Sequence, residues 1–362
     1  MINVTKAFLP PFEEYVKHLK GVWDREHLTN HGPLVNELEE KIKSYLGVPH
    51  FYFLNNGTVA LQIAIKALEL KGEIITTPFS YVATTSSIVW ENAKPVFVDI
   101  DPGTLTIDAS KIEAAITKNT SAILATHVYG IPCDVETIGG IAKRHKLKVI
   151  YDAAHAFGVK YKNASLLNYG DISTLSFHAT KLYHTVEGGG ITTSDDLLAH
   201  RISYMRNFGH KGQEEFWGVG INGKNSEFHA AMGLSNFPYI GPILESRKKL
   251  SETYDRLFEE MDIRVQRPVI PAQVEYNHAY YPVVFASEKQ LLEVRDSLNA
   301  SYIYPRRYFF PALNTLPYLG KTKSLPVSSS IASRVLCLPL YYGLSPDSVR
   351  QICAIMEKVL KY

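Results

Sequence analysis

Lys181 has the setting in this sequence most suggestive of chemistry. It ends the segment Ser176-Phe-His-Ala-Thr-Lys181, which continues a β-rich run from Asp171, and the glycines of Glu187-Gly-Gly-Gly190 follow shortly after. A desolvated lysine has a lowered pKa, so its amine is neutral and nucleophilic enough to form a Schiff base with an aldehyde. The ordinary alternative is a solvated surface charge, and this segment alone leaves both interpretations open.

Asp152 is the second candidate for chemistry. It ends the apolar run Lys148-Val-Ile-Tyr-Asp152, and a carboxylate at the end of a buried strand needs a cationic or hydrogen-bonding partner. The residue either caps a loop or faces a protonated pyridine nitrogen. In the second case Lys181 and Asp152 bind opposite ends of one cofactor, and the aspartate keeps the ring cationic as an electron sink.

A third feature is the turn Asn55-Asn-Gly-Thr58, between the apolar segment Phe51–Leu54 and an apolar helix-forming run. A glycine there allows the backbone to approach a ligand, and the free amides at a helix start favour an anion. Gly57 and Thr58 are equally compatible with a plain turn and a helix N-cap.

Composition narrows the possible functions. The 362 residues carry a formal net charge of +2 from 38 basic and 36 acidic side chains without long blocks, which argues against nucleic-acid or anionic-membrane binding. The cysteines, Cys133, Cys337 and Cys353, have no metal-ligand spacing and are expected to be buried free thiols, so no metal site is predicted. No stretch approaches the roughly 18 apolar residues of a membrane helix, and we expect a soluble cytoplasmic protein.

Apolar strands alternate with helix-sized segments along most of the chain. This alternation predicts an α/β protein with a mostly parallel sheet covered by helices on both faces. Ligands in such sheets bind at the carboxyl ends of the strands, where Gly57, Tyr81, Asp152 and Lys181 would then meet. We place a boundary near residue 236, with a large domain over 1–236 and a smaller C-terminal α+β domain over 237–362.

In chain order, Asn56-Gly-Thr58, Asp152-Ala-Ala-His155, Ser176-Phe-His-Ala-Thr-Lys181 and Glu187-Gly-Gly189 resemble the DegT/StrS-type nucleotide-sugar aminotransferases. The resemblance covers nearly the whole chain. It implies a fold-type-I enzyme that uses pyridoxal 5′-phosphate and works as a homodimer with composite active sites.

The resemblance also assigns residues to the cofactor. Lys181 would bond to it covalently and later shuttle protons, and Asp152 would pair with the pyridinium. Tyr81 stands where the family has an aromatic that stacks on the ring, although core packing is an alternative for this side chain. The full set implied for the cofactor is Gly57, Thr58, Tyr81, Asp152, His155, Ser176, Lys181 and, from the partner subunit, Asn222.

The same resemblance implies a substrate. His178 and Glu187-Gly-Gly189 are similar to the enzymes that aminate C-4, which implies transfer from L-glutamate to C-4 of dTDP-4-keto-6-deoxy-D-glucose for surface glycan biosynthesis. The alternatives are a 3-keto sugar nucleotide or GDP-4-keto-6-deoxymannose, an amino-acid aminotransferase, or a non-catalytic regulator that binds the cofactor. The residues predicted to contact substrate are His178, Lys224, Arg307 and Tyr308, with a domain-surface arginine pair as the other interpretation of Arg306-Arg307.

Overall fold

The computed structural model describes residues 1–320 and 322–361. Its α-helices, in chain order, are α1 (Phe12–Arg25), α2 (Pro33–Leu46), α3 (Gly57–Ala67), α4 (Val82–Trp90), α5 (Val135–His145), α6 (Asp196–Met205), α7 (Glu227–Asn236), α8 (Ile240–Glu260), α9 (Glu288–Ala300), α10 (Pro326–Arg334) and α11 (Pro346–Leu360).

The strands are shorter, and several contain only two residues. In chain order they are β1 (Ile2–Asn3), β2 (His50–Leu54), β3 (Glu73–Thr76), β4 (Lys94–Phe97), β5 (Thr120–Thr126), β6 (Lys148–Asp152), β7 (Lys160–Tyr161), β8 (Ala164–Ser165), β9 (Ile172–Ser176), β10 (Gly189–Thr193), β11 (Val274–Glu275), β12 (Tyr281–Val284), β13 (Ile303–Tyr304) and β14 (Val335–Leu338).

The main sheet is mixed. Within the described residues its strand order is β2-β10-β9-β6-β5-β3-β4. From β9 to β4 all neighbouring strands are parallel, whereas β10 runs antiparallel to both β2 and β9. Helices cover the sheet, which confirms the predicted α/β class with a mostly parallel sheet.

Apolar patterning explains these elements. Strand β5 is buried from Ala122 to Thr126, as expected for a parallel strand that has helices on both faces. In α2 the apolar residues that recur every three or four positions are buried, and the helix ends at Gly47, whose φ of 61° favours glycine. The buried residues on that face are Leu34, Val35, Leu38, Ile42 and Leu46.

A second hydrophobic core lies in the C-terminal part, where β12 and β14 form an antiparallel pair. Helix α8 contributes Ile240 and Ile243 to the core of the main sheet, and Leu250 and Leu257 to the second core. Strand β1 pairs with β13, so the first residues of the chain join the C-terminal part. The division at residue 236 stays a prediction.

Two expectations from the composition can be compared with the structure: the state of the cysteines and the absence of a membrane helix. Cys133, Cys337 and Cys353 are buried and unpaired in the described chain. In residues 1–320 and 322–361 we find no helix that is both long and apolar enough to cross a membrane.

Candidate active site

A cavity of about 380 Å³ opens at the carboxyl ends of β5, β6 and β9. Its position agrees with the rule for parallel sheets, because the strand ends and the following loops leave a crevice there. The cavity brings together most of the residues predicted from sequence: Gly57, Thr58, Tyr81, Asp152, His155, Ser176, His178, Lys181 and Tyr308.

Lys181 lies in the loop 177–188 that joins the neighbouring strands β9 and β10. The backbone amide of Phe177 donates to Gly188 O at 2.8 Å and closes the base of this loop. Burial lowers the pKa of the Lys181 amine from 10.5 to about 8, although the negative charge of Asp152 raises it. No carboxylate of the described residues lies within 4.0 Å of its Nζ, so the amine forms no ion pair there.

Asp152 ends β6 and is 5% exposed. Its Oδ2 accepts a hydrogen bond from the Thr84 hydroxyl at 2.7 Å, and its Oδ1 accepts one from the Ala154 amide at 3.1 Å. Burial raises the pKa of this carboxyl, while both hydrogen bonds and the charge of Lys181 lower it. The partner that the sequence required is therefore a set of hydrogen-bond donors together with a nearby lysine.

The turn before α3 forms an anion-binding corner. Asn56 caps the helix by accepting the Val59 amide at 2.8 Å, which leaves the amides of Gly57 and Thr58 at the open helix start. A Cβ at Gly57 would lie 3.1 Å from the Ser176 Cβ, so glycine lets the hydroxyl-bearing residue approach. A Cβ at Gly189 would lie 2.3 Å from the Asn56 backbone, so β10 needs glycine beside the turn.

His155 is a buried, neutral imidazole in the cavity wall. Burial lowers its pKa well below the ordinary value, and the charge of Lys181 lowers it further. Its Nδ1 accepts a hydrogen bond from the Tyr129 amide at 3.2 Å, so the proton of the neutral ring is on Nε2. The ring stacks on Phe309, with 5.6 Å between the centroids.

Tyr81 precedes α4 and lines the cavity with its side chain 55% exposed. The alternative of core packing is thus not what the structure shows. An exposed ring at a cavity wall is available to stack on a flat ligand.

Arg307 is not at the cavity. Its guanidinium donates to Glu288 Oε1 at 2.6 Å and to Ser333 O at 2.9 Å, on the opposite side of the extended segment. Arg306 and Tyr308 line the cavity instead, because neighbouring side chains of an extended chain point in opposite directions. The structure thus places Tyr308 in the cavity wall and Arg307 outside it, and the substrate contacts expected of both residues stay predictions.

Asn222 and Lys224 also lie outside this cavity. The Lys224 amine donates to Asn222 Oδ1 at 2.7 Å, and both residues belong to the loop that precedes α7. His178, by contrast, lines the cavity, and its Nε2 is 3.6 Å from Glu187 Oε1. A single chain thus assembles all predicted residues except Asn222, Lys224 and Arg307.

Several residues at the cavity or directly behind it are not predicted by the sequence pattern. Ser80 and Thr126 line the cavity, and Thr84 lies behind the wall; only their places near the ends of elements could have indicated these small polar residues. Tyr280 and Phe309 come from the C-terminal part, whose approach to the sheet edge the sequence pattern does not reveal.

Fold and cavity define the class: an α/β enzyme in which a lysine of lowered pKa and a buried carboxylate line one cavity at the strand ends. The model of the DegT/DnrJ/EryC1/StrS aminotransferase family matches residues 12–357. The chain belongs to this family, which confirms the resemblance seen in the sequence and the predicted aminotransferase class.

Relatives match over full length. The dTDP-4-amino-4,6-dideoxy-D-glucose transaminase of Shigella dysenteriae is 42% identical over 364 residues, which cover 99% of each chain. The GDP-perosamine synthase of Caulobacter vibrioides is 32% identical, with 93% of each chain covered. A crystal structure of DesI in the presence of its TDP-sugar product has a TM-score of 0.93 at 31% identity, and the similarity covers 99% of this chain and 92% of DesI. The predicted fold type is confirmed.

The lowered pKa of Lys181 predicts an unusual pH dependence for its acylation by an amine-selective reagent. Half of the amine is neutral near pH 8, whereas an ordinary lysine reaches that point near pH 10.5. Peptide mass spectrometry of the cofactor-free protein, labelled across a pH series, should give a midpoint near 8 for Lys181. In Asp152→Asn the midpoint should move lower, because a charge that favours the ammonium is lost. A midpoint near 10.5 for Lys181 would contradict this assignment.

Proposed function

We propose that this protein transfers an amino group from L-glutamate to C-4 of dTDP-4-keto-6-deoxy-D-glucose, with pyridoxal 5′-phosphate as cofactor. The observation that carries the proposal is the shared cavity of Lys181, Asp152 and the anion-binding corner. These three features suit an aldehyde, a pyridinium and a phosphate, which are three of the functional groups of this cofactor.

The cavity residues fit the cofactor in detail. The corner at Gly57 has open helix-start amides and is closed by Ser176, and a side chain at Gly57 would crowd it. Asp152 is a buried carboxylate that accepts two hydrogen bonds and still lines the cavity. Lys181 has no ion-pair partner in the described chain. Tyr81 and His155 supply flat surfaces for a ring.

Bound pyridoxal phosphate supplies an electron sink that stabilises negative charge at the carbon that loses a proton. Lys181, neutral above about pH 8, takes the proton from the α-carbon of glutamate. In the second half of the reaction it returns a proton to C-4 of the sugar. One lysine serves both halves because its loop is fixed between two strands, and so the amine stays beside the reacting carbon.

Asp152 and His155 act by charge and orientation. Asp152 would place a negative charge opposite a ring nitrogen; burial raises the pKa of this carboxyl, and the hydrogen bonds from Thr84 and Ala154 oppose that shift by stabilising the ionised form. His155 presents its Nε2–H, because the Tyr129 amide occupies Nδ1. A neutral imidazole at this place adds no positive charge beside the Lys181 amine.

The choice of sugar nucleotide draws on relatives and on the cavity. The relative named as a dTDP-4-amino-4,6-dideoxy-D-glucose transaminase is 42% identical over the full chain, which favours the C-4 reaction on the dTDP sugar. The second candidate is GDP-4-keto-6-deoxymannose, because the GDP-perosamine synthase relative is 32% identical. Arg306 and Tyr308 at the cavity suit the diphosphate that both substrates share.

In a homodimer with composite active sites, Asn222 and Lys224 would contribute to the active site of the partner subunit. Asn222 and Lys224 lie next to a glycine-rich loop whose large apolar side chains are exposed in the single chain. A second copy that covers this loop would bury them and could direct Asn222 and Lys224 to its partner's phosphate corner. The exposed side chains are Phe208, Phe216, Trp217, Val219 and Ile221.

Turnover is the direct test of the proposed reaction. Wild-type protein incubated with pyridoxal phosphate, glutamate and dTDP-4-keto-6-deoxy-D-glucose should give a 4-amino sugar, identified by proton NMR couplings at C-4. Lys181→Ala should bind the cofactor but lose at least about 10³-fold in turnover, because the proton-transferring amine is gone. Full activity in Lys181→Ala would refute the mechanism. Turnover of the GDP sugar without turnover of the dTDP sugar would instead support the second candidate.

The two adjacent arginines provide a matched pair for substrate binding. Arg306→Ala should raise KM for the sugar nucleotide about tenfold, because a charged hydrogen bond to the diphosphate is lost. Arg307→Ala should leave KM within about twofold of wild type, since its guanidinium pairs with Glu288 outside the cavity. Steady-state kinetics at saturating glutamate measure both values. A larger increase in KM for Arg307→Ala than for Arg306→Ala would instead assign the diphosphate contact to Arg307.

Composite sites predict rescue between two inactive variants. In a mixed dimer of Lys181→Ala and Asn222→Ala chains, the site with an intact lysine receives the intact Asn222 of the other chain. Refolding or exchanging subunits of the two variants should therefore restore activity above that of either variant alone, and sedimentation should give twice the chain mass. If Asn222 served its own chain, mixing would restore nothing.

A further inference from the structure

Three buried hydroxyl groups form a chain that ends on Asp152. The Thr126 and Ser80 hydroxyls are 3.0 Å apart, and those of Ser80 and Thr84 are 2.7 Å apart. The Thr84 hydroxyl then donates to Asp152 Oδ2 at 2.7 Å. None of these four side chains is more than 5% exposed.

The carboxylate of Asp152, at one end of this chain, determines which hydroxyl donates to which. An ionised carboxylate can only accept, so the Thr84 proton is used on Asp152. Thr84 can then only accept from Ser80, and Ser80 can only accept from Thr126. Each of the three hydroxyls therefore donates one hydrogen bond, and all three bonds point toward Asp152.

The fold supplies the three hydroxyls from separate elements. Register between β5 and β6 places Thr126 beside Asp152. Ser80 belongs to the turn that follows β3, and Thr84 lies in the first turn of α4. Three elements therefore converge on one carboxylate, and hydrogen bonds in series polarise one another in a surrounding of low polarity.

We propose that Thr84, supported by Ser80 and Thr126, is a positioning residue that holds Asp152 ionised and oriented toward the ring nitrogen of the cofactor. The inference rests on the proposed function, because it concerns the strength of one contact to pyridoxal phosphate. Thr84 itself does not line the cavity, so it acts through Asp152 and not by touching the ligand.

A neighbouring threonine offers a matched control. Thr85 is also fully buried in α4, and its hydroxyl has no hydrogen-bond partner in the part of the chain described. Thr85→Val and Thr84→Val make the same change one residue apart. Only the second removes a donor from a carboxylate, so general effects of the substitution on α4 appear in both variants.

The experiment compares two ligands that differ at one atom. Pyridoxal 5′-phosphate and its 1-deaza analogue, in which carbon replaces the ring nitrogen, are titrated into cofactor-free protein and their Kd values are measured by absorbance. Thr84→Val should raise the Kd of pyridoxal phosphate about tenfold, as expected for loss of a charge-assisted hydrogen bond, and change that of the analogue by less than about twofold. Thr84→Ser should restore the wild-type value, and Thr85→Val should leave both unchanged.

Equal losses for the two ligands in Thr84→Val, or no loss for either, would overturn the positioning role while leaving the proposed function in place. Wild-type protein that binds neither ligand would overturn the proposed cofactor and this inference with it. Thermal unfolding of every variant checks that the protein is folded. Thr84→Ala, which also lacks the hydroxyl, serves the same comparison should the valine variant fail to fold.

Discussion

Two opposite charges in one buried cavity impose the main constraint on this structure. Burial raises the pKa of Asp152 and lowers that of Lys181, so desolvation pushes both groups toward their neutral forms. The lysine benefits, because a neutral amine is the reactive form. In the proposed function the aspartate does not, since a neutral carboxyl would lose its attraction for the cationic ring of the cofactor. The surroundings of the two residues differ accordingly: Asp152 receives hydrogen bonds, and Lys181 has no ion-pair partner in the described chain.

The two groups come from different parts of the sheet and therefore have different surroundings. Asp152 stands at the end of a parallel strand, where the backbone of the following loop and the first turn of α4 supply hydrogen-bond donors to it. Lys181 comes from the loop before an antiparallel strand, where backbone hydrogen bonds shape the loop and leave the amine alone. A preorganised arrangement of this kind needs little rearrangement when a ligand arrives.

Much of the fold and site could be predicted because residue types with costly burial stand next to clear strand and helix patterns. Asp152, Lys181 and the Gly57 turn are of this kind. The choice between Arg306 and Arg307 could not be predicted, since alternation fixes that they face apart but not which one faces inward; pairing of Arg306 with Cys337 decides that. Thr84 escaped notice because a hydroxyl is cheap to place almost anywhere, and its importance lies in a partner distant in sequence.

Loop 177–188, which carries Lys181, joins two strands that are adjacent in the sheet, and a hydrogen bond from Phe177 to Gly188 closes it at its base. Both of its ends are therefore anchored by neighbouring backbone, and no helix or crossover depends on its length. For protein engineering, a corresponding segment from a relative would join the same two strands without changing the strand order, but it must keep the bonds of Tyr183 to Gly233 O and of His184 to Phe8 O. Such an exchange would transfer the Lys181 amine together with the rim residues His178 and Glu187.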